Sequence, residues 1–353
     1  MNKIKLGFIF GGPSTESDIS LCSASDILKE LDKEKYEIFP IYIGKNGKWY
    51  KYLETKKLQL GEEVKKKEEL ENVFKYLQDL DVIFPLLHGL NGEDGSIQGL
   101  LQLINKPYVG SGILASALGM DKAYAKIIFE KAGFKQTKYE YIRKYKEKYF
   151  YINKKLEQEL LDIDDILIKI KKNLKCPLFL KPSNSGSSIG ITKVTKEEYL
   201  KSAIENAEKF DSKILIEEGV DGKEVVCAVL GNEEIVASGV GEIQFLEEFY
   251  TFSAKYLNPM ENILKADISN DLVEKVRAQA IKAYKAIDGK GLSRVDFFID
   301  KKTNDIIINE INTMPGFTRS SWYAKLFKAY GISYKDLMNK IIDLAIENHK
   351  KNF

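Results

Sequence analysis

Two strand-like segments, residues 3–10 with the apolar run Leu6 to Phe10 and residues 81–86, each stop at a glycine-rich loop that opens an amphipathic segment, and this repeated order restricts the N-terminal part to few architectures. Residues 3–10 read as a buried strand, Gly11 to Ser17 as a turn, and Ile19 to Leu31 as a helix that Ser17 or Asp18 caps. A strand over Tyr36 to Ile43 completes a strand-helix-strand unit. The second run leads through His88 to Gly95 into a helix over Ser96 to Ile104 and a short strand at Pro107 to Val109. Such alternation predicts a doubly wound, Rossmann-like α/β unit: a parallel sheet with helices on both faces and ligands beyond the carboxyl ends of its strands. The charged, weakly patterned stretch 45–79 reads as surface elaboration.

From Asp121 the pattern changes to α+β. A helix over Ala123 to Ala132 precedes a Lys/Tyr-rich stretch to Asn153 and a helix over Lys155 to Lys172. The strand Leu178 to Lys181 then runs into Pro182 to Gly190, a segment of small polar residues, followed by a helix over Lys196 to Phe210. Strands near Ile214, Val225 and Ile235, an irregular loop from Gly241 to Asn258, a helix over Asn270 to Ile287 and strands at Leu292 to Ile299 and Asp305 to Asn312 follow. Helices after Ser321 and Ser333 end the chain. A length of 353 residues suits two or three packed modules.

Charge and cysteine usage exclude several classes. With 54 Lys+Arg against 52 Asp+Glu, the net charge of +2 argues against a nucleic-acid partner, although the basic and aromatic stretch 135–157 has the residue types for one. Cys22, Cys176 and Cys227 lie far apart with no CxxC spacing, which supports neither a disulfide framework nor a zinc site. No apolar run is long enough for a secretory leader or a membrane span, so the expectation is a cytoplasmic protein with no membrane partner.

Chemistry concentrates on the last two strands. Residues two apart share a strand face, so Arg294 and Asp296 point one way while Val295 points into the core, and Glu310 and Asn312 flank Ile311 in the same manner. If the strands pair, two carboxylates and an amide oxygen gather beside a guanidinium. Hard oxygen donors without His or Cys suit Mg²⁺ bridged to phosphates. In isolation the same pattern also describes a decorated surface hairpin. Lys181 followed by Ser183 to Gly190 offers backbone N–H groups and a point charge to phosphate oxygens, or a polar turn, and it is not a Walker A loop. Glu16, in the loop after the first strand, suits an ammonium group or merely the positive end of a helix. His88 occupies the equivalent place after another strand.

In order along the chain, GGPSTE at 11–16, HGLNGEDGSIQG at 88–99, PYVGSGILASALGMDK at 107–122, LKPSNSGSSIG at 180–190, IEEGVDGKE at 216–224, KY at 255–256, SRVD at 293–296 and NEINTMPGFTRSS at 309–321 resemble the D-alanine:D-alanine ligases of the ATP-grasp superfamily. The resemblance implies a substrate domain over 1–121, a central ATP-grasp lid domain over 122–218, and a C-terminal ATP-grasp domain over 219–353 carrying the metal site and an omega loop. It implies that Glu16 holds the amino group of the first D-alanine in a set with Ser187 and Tyr256, and that Lys122 and Lys181 touch ATP phosphates. Backbone around Glu218 and Val220 would receive adenine, with Glu217 near its amino group and Glu224 on the ribose. Asp296, Glu310 and Asn312 would bind two Mg²⁺, with Mn²⁺ able to substitute. Arg294 and the backbone of Gly316 would form an oxyanion hole, Ser321 would bind the second carboxylate, Lys255 would contact the transferring phosphoryl group, and His88 would lie beside the second substrate. A homodimer is the implied assembly.

The implied reaction makes D-alanyl-D-alanine for peptidoglycan through a D-alanyl phosphate, with the 241–258 loop closing to keep water out. Ser17 stands where the family has His or Arg, and Trp322 where it has Met or Leu. Because Trp322 adjoins Ser321, it is counted with the second-substrate pocket. A D-alanyl-D-serine or D-alanyl-D-lactate ligase is the alternative this suggests, and a catalytically silent ATP-binding regulator is another.

Overall fold

The computed structural model describes residues 2–14, 16–53, 64–244, 263–318 and 321–352. Its first sheet is built from β1 (Ile4–Gly11), β2 (Tyr36–Ile43), β3 (Trp49–Tyr52), β4 (Lys67–Glu69) and β5 (Val82–Leu86), in the order β4-β3-β2-β1-β5. β1 lies parallel to both β2 and β5, as the alternation predicts. Leu6, Phe8 and Phe10 of β1 face one core with α1 (Ser17–Glu30), while Ile9 faces another with α2 (Val73–Gln78) and α3 (Ser96–Leu103). This two-sided burial is why the runs are continuously apolar rather than alternating.

Three expectations change here. Residues 45–79 are not mere surface: β3 and β4 within them extend the sheet by antiparallel pairing, and Trp49 and Val73 pack against its core. Neither Ser17 nor Asp18 caps α1, because Glu16 occupies the N-cap position and makes no side-chain cap bond. At 107–109 only a single bridge from Tyr108 to Ile83 forms.

After α4 (Ile113–Met120) and α5 (Lys122–Lys131), the second sheet comprises β6 (Tyr139–Tyr145), β7 (Lys148–Ile152), β8 (Gln158–Leu161), β9 (Leu178–Pro182), β10 (Thr192–Val194) and β11 (Lys213–Glu218). The Lys/Tyr stretch is therefore a hairpin, with Tyr149 and Tyr151 buried against α6 (Ile163–Asn173) and α7 (Leu200–Ala207). Its periodicity of two was hidden by lysines whose stems lie along the sheet and whose charges reach water. The helix expected over 155–172 begins only at Ile163, since Gln158 to Leu161 pair with β7.

The third sheet carries β12 (Gly222–Leu230), β13 (Val236–Ile243), β14 (Leu292–Asp300) and β15 (Ile306–Asn312) in the order β13-β12-β14-β15. α8 (Asn270–Ala286), whose Ser269 side chain caps Leu272 N, covers one face together with Phe129 of α5. α9 (Trp322–Ala329) covers Val226, Ala228 and Leu230 on the other face, and α10 (Tyr334–Asn352) joins this core to the first sheet. No helix among the described residues is long and apolar enough to cross a membrane.

One irregularity decides what the third sheet can do. Asp296 pairs with Glu310 but Phe297 pairs with Ile308, so Asn309 is an extra residue in β15. With Asn309 kept in a regular strand, strict alternation would put Glu310 on the same face as Ile306 and Ile308. The bulge resets the parity, so that Ile308 and Ile311 both enter the core while Glu310 and Asn312 share the opposite face with Arg294 and Asp296.

Deleting Asn309 leaves a regularly alternating strand in which Ile306, Ile308 and Ile311 share the core face and Glu310 and Asn312 the polar one, so the fold should survive with the loss confined to the Lys181–Asn309 contact. Urea unfolding should find the midpoint nearly unchanged, and a loss of about 2–5 kcal/mol, the mark of an expelled isoleucine, would contradict the role given to the bulge.

Candidate active site

On the polar face of β14 and β15, Arg294 grips Asp296 with two parallel bonds, Nε to Oδ1 at 2.7 Å and Nη2 to Oδ2 at 2.6 Å. Asn312 Nδ2 lies 3.4 Å from Asp296 Oδ2, and Glu310 stands opposite Asp296 in the pairing. Asp296 is buried, so the fork of Arg294 keeps its charge from being stranded. Arg294 engages both Asp296 oxygens, and the weaker Asn312 contact falls on Oδ2. Two carboxylates and an amide that can turn its oxygen inward make a donor set that fits a hard divalent cation. Among the described residues no group of three or more His, Cys, Asp or Glu is arranged to hold a metal, so the amide is needed to complete the set.

Lysines border this face. Lys122, the first residue of α5, lies 3.9 Å from Glu310 Oε2 and donates to the Ser185 carbonyl at 2.6 Å. Its backbone is fixed by the Asp121 cap, whose Oδ1 accepts from Ala123 N and Tyr124 N at 3.1 Å and from Ser183 Oγ at 2.7 Å. Lys213 pairs with the other Asp121 oxygen. Lys181, from β9, reaches Asn309 Oδ1 at 3.3 Å and Glu217 Oε1 at 2.5 Å. Burial works against the Glu217 charge, but Lys126 and Lys181 outweigh it and hold the carboxyl below its usual range. Glu224 lies on β12 and adds to the negative field that holds Lys181 protonated.

The N–H groups of Glu218 and Gly219 donate to the carbonyls of Lys138 and Pro177, and Glu218 Oε1 accepts from Lys175 N. These bonds fix the turn in which Val220, half-buried, links β11 to β12.

Across from the lysines, Ser187 donates to Glu16 Oε1, joining segments 171 residues apart in sequence. Ser187 and Ser188 have φ of +49° and +60°, successive left-handed residues that turn the loop toward Glu16. Glu16 is buried against two glycines, and a Cβ at Gly89 or Gly186 would fall 2.6 or 2.7 Å from its Oε2. At Gly89 the requirement is double, because its φ is +71°. His88 sits 3.2 Å through Nδ1 from the Met314 carbonyl, which can only accept, so Nδ1 bears the proton. Its Nε2 is buried with no partner among the described residues, and burial pushes the imidazole pKa down despite Glu16.

Residues 5–111 match the family described as "D-ala D-ala ligase N-terminus" and residues 128–343 the one described as "D-ala D-ala ligase C-terminus". The chain belongs to the D-alanine–D-alanine ligase family. The family's ligase of Acetivibrio thermocellus is 43% identical over 99% of this chain and 98% of its own, and that of Ruminiclostridium cellulolyticum is 43% identical over 99% and 97%. Among solved structures, the D-alanine-D-alanine ligase of Coxiella burnetii superposes with a TM-score of 0.81 at 29% identity, covering 100% of this chain and 96% of that one. The VanG D-Ala:D-Ser ligase of Enterococcus faecalis superposes at 0.83 and 34% identity, covering 98% and 100%. The fold is accordingly ATP-grasp, and the family's ligases depend on ATP.

Within this family frame, Gly316 and Ser321 follow the metal-candidate strand. A Cβ at Gly316 would lie 3.1 Å from Ser321 Oγ, and that hydroxyl is 2.7 Å from Thr318 Oγ1. Trp322 is buried in the same core cluster as Met314 and Phe317 of this loop, beside Leu326 and against Gly241. Lys255 and Tyr256 lie outside the described residues, as does 245–258 of the expected closing loop.

Three residues join the network without having been singled out in the sequence: Asp121, Lys126 and Glu93. Glu93 Oε2 accepts from Gly89 N at 2.7 Å. Burial, with the Glu16 charge in support, pushes its carboxyl up to about 8. The only sequence signal for it was an acid inside a glycine-rich loop.

An acid with a raised pKa binds a proton in the folded chain that the unfolded chain has released, so its contribution to stability is lost as pH rises from the ordinary carboxylate range to about 8. Glu93→Gln should flatten that decline. Melting temperatures from pH 5 to 9 check it: parallel curves for the two proteins would contradict a neutral Glu93.

Proposed function

We propose that this chain joins two D-alanine molecules into D-alanyl-D-alanine, with ATP activating the first carboxylate as a D-alanyl phosphate, in peptidoglycan synthesis. What supports it is the meeting of opposite chemistries in one cleft: Glu16 with Ser187 on one side, and Lys122, Lys181 and Arg294 beside Asp296 and Glu310 on the other. The chain reads as a substrate domain over 1–121, a lid over 122–218 and a catalytic domain over 219–353.

In this reading Glu16 takes the ammonium of the first D-alanine, oriented by Ser187. Lys122 and Lys181 take the phosphates. Backbone around Glu218 and Val220 takes adenine, Glu217 its amino group and Glu224 the ribose. Asp296, Glu310 and Asn312 hold two Mg²⁺ (or Mn²⁺), which supply charge neutralisation on the transferring phosphoryl oxygens.

The first carboxylate attacks the γ-phosphorus and ADP leaves. The amine of the second D-alanine then attacks the acyl carbon and inorganic phosphate leaves. Arg294 and the Gly316 amide hold the oxyanion of that second step, a role worth roughly 3–4 kcal/mol for one well-aimed donor. Ser321 holds the second carboxylate with His88 nearby, and Lys255 and Tyr256 complete the site from the loop that excludes water. No covalent enzyme intermediate is needed. The reading takes the protein as a cytoplasmic homodimer. Trp322 was the reason to consider D-serine or D-lactate as second substrate; the relatives named D-alanine–D-alanine ligase support D-alanine instead.

With ATP, Mg²⁺ and equal D-alanine, D-serine and D-lactate, mass spectrometry of the products should find D-alanyl-D-alanine in excess, and a predominance of either mixed product would sink the assignment. Glu310→Gln should lower kcat by at least about tenfold while leaving the KM for the first D-alanine nearly unchanged. Unaltered turnover in steady-state assays would refute its metal role.

A further inference from the structure

α5 carries two lysines one turn apart, and they meet different surroundings. Lys122 opens onto Ser185 and Glu310, whereas Lys126 is buried one turn deeper, 2.8 Å from Glu217 Oε2. Thr137 Oγ1 donates to that same oxygen at 2.8 Å, and Lys181 holds Oε1 at 2.5 Å. One carboxylate therefore sits between two ammonium groups, each on its own oxygen.

We propose that Lys126 is a positioning residue for ATP, holding Glu217 Oε2 so that the carboxylate cannot close on Lys181 with both oxygens and cancel the charge meant for the nucleotide's phosphates. The inference rests on the nucleotide site described under the proposed function. Lys126 cannot serve the nucleotide directly, since its side chain is 3% exposed against 12% for Lys181. The ammonium also lies 5.3 Å over the Tyr139 ring and donates to Thr137 Oγ1 at 3.3 Å, but the one carboxylate it pairs with among the described residues is Glu217. Burial opposes the charge of both lysines. Lys181 has Glu217, Glu310 and Glu224 in its favour and its pKa is raised, while Lys126 has only Glu217, is repelled by Lys181, and its pKa is lowered. The unfavourable cation is thus the one behind the site, which is the expected sign if its task is to divide the Glu217 charge.

The test uses the full chain with Lys126→Met, Lys126→Arg, Lys181→Met, Glu217→Gln and the Lys126→Met/Glu217→Gln pair, with ATP affinity by calorimetry, KM for ATP and D-alanine, and melting temperature. Lys126→Met should weaken ATP binding roughly tenfold to a hundredfold, the range for groups that orient a ligating residue. The KM for D-alanine should stay within about twofold, and Lys126→Arg should recover most of the loss. Once Glu217 is neutral there is no charge to divide, so in the pair the further loss from Lys126→Met should disappear. Unchanged ATP affinity in folded Lys126→Met, equal rises in both KM values, or full additivity would each overturn the inference. If Lys181→Met itself leaves ATP affinity unchanged, the nucleotide site is misassigned and the inference falls with it, a failure distinguishable because Lys126→Met is then not the variant that exposes it.

Discussion

The bulge at Asn309 sets which way β15 faces: with that residue in the strand, only an irregular pairing leaves Glu310 and Asn312 on the polar face. The pleat allows only two faces, and the hydrophobic core claims Ile306, Ile308 and Ile311 alike. These three cannot share a face in a regular strand. The bulge reconciles them and in doing so turns Glu310 and Asn312 toward Arg294 and Asp296. Core packing and the arrangement of charges are therefore one constraint, satisfied at one point in the chain. Asn309 is also where Lys181 from the second sheet makes contact, so the irregularity touches both sheets that border the cleft.

Around that face the buried charges are matched. Arg294 neutralises the buried Asp296, Lys122 and Glu310 stand farther apart at 3.9 Å, and Lys126 and Lys181 flank the buried Glu217. Desolvation makes an unmatched charge more costly with depth, and the two most buried carboxylates of the group, Asp296 and Glu217, each have several donors. The nearly neutral composition of the whole chain carries no trace of this local ordering.

How much of this was legible follows from which patterns the physics leaves in a sequence. The first sheet was, because strands buried on both faces must be apolar, and β1 from Leu6 onward and β5 are. The relation of Arg294 to Asp296 and of Glu310 to Asn312 was, because each pair lies within one strand and alternation is local. The bulge between them was not, since its only sign is three isoleucines whose faces conflict. The Lys/Tyr hairpin was missed because long amphipathic side chains blur alternation, and β3 and β4 because edge strands with charged residues look like loops. Glu93 and Lys126 were invisible as site residues because their importance lies in what surrounds them.

Ser187 and Ser188 hold backbone angles that glycine adopts more easily, between glycines at 186 and 190. Retaining a hydroxyl at 187 gives Glu16 its donor, and it also changes the statistics of the loop before it is ordered. A serine samples fewer conformations in the disordered chain than a glycine does, so arranging this turn forfeits less freedom. The left-handed strain is enthalpic and local, whereas the saving is entropic and felt whenever the loop re-forms. A loop built this way favours returning to one shape over exploring many.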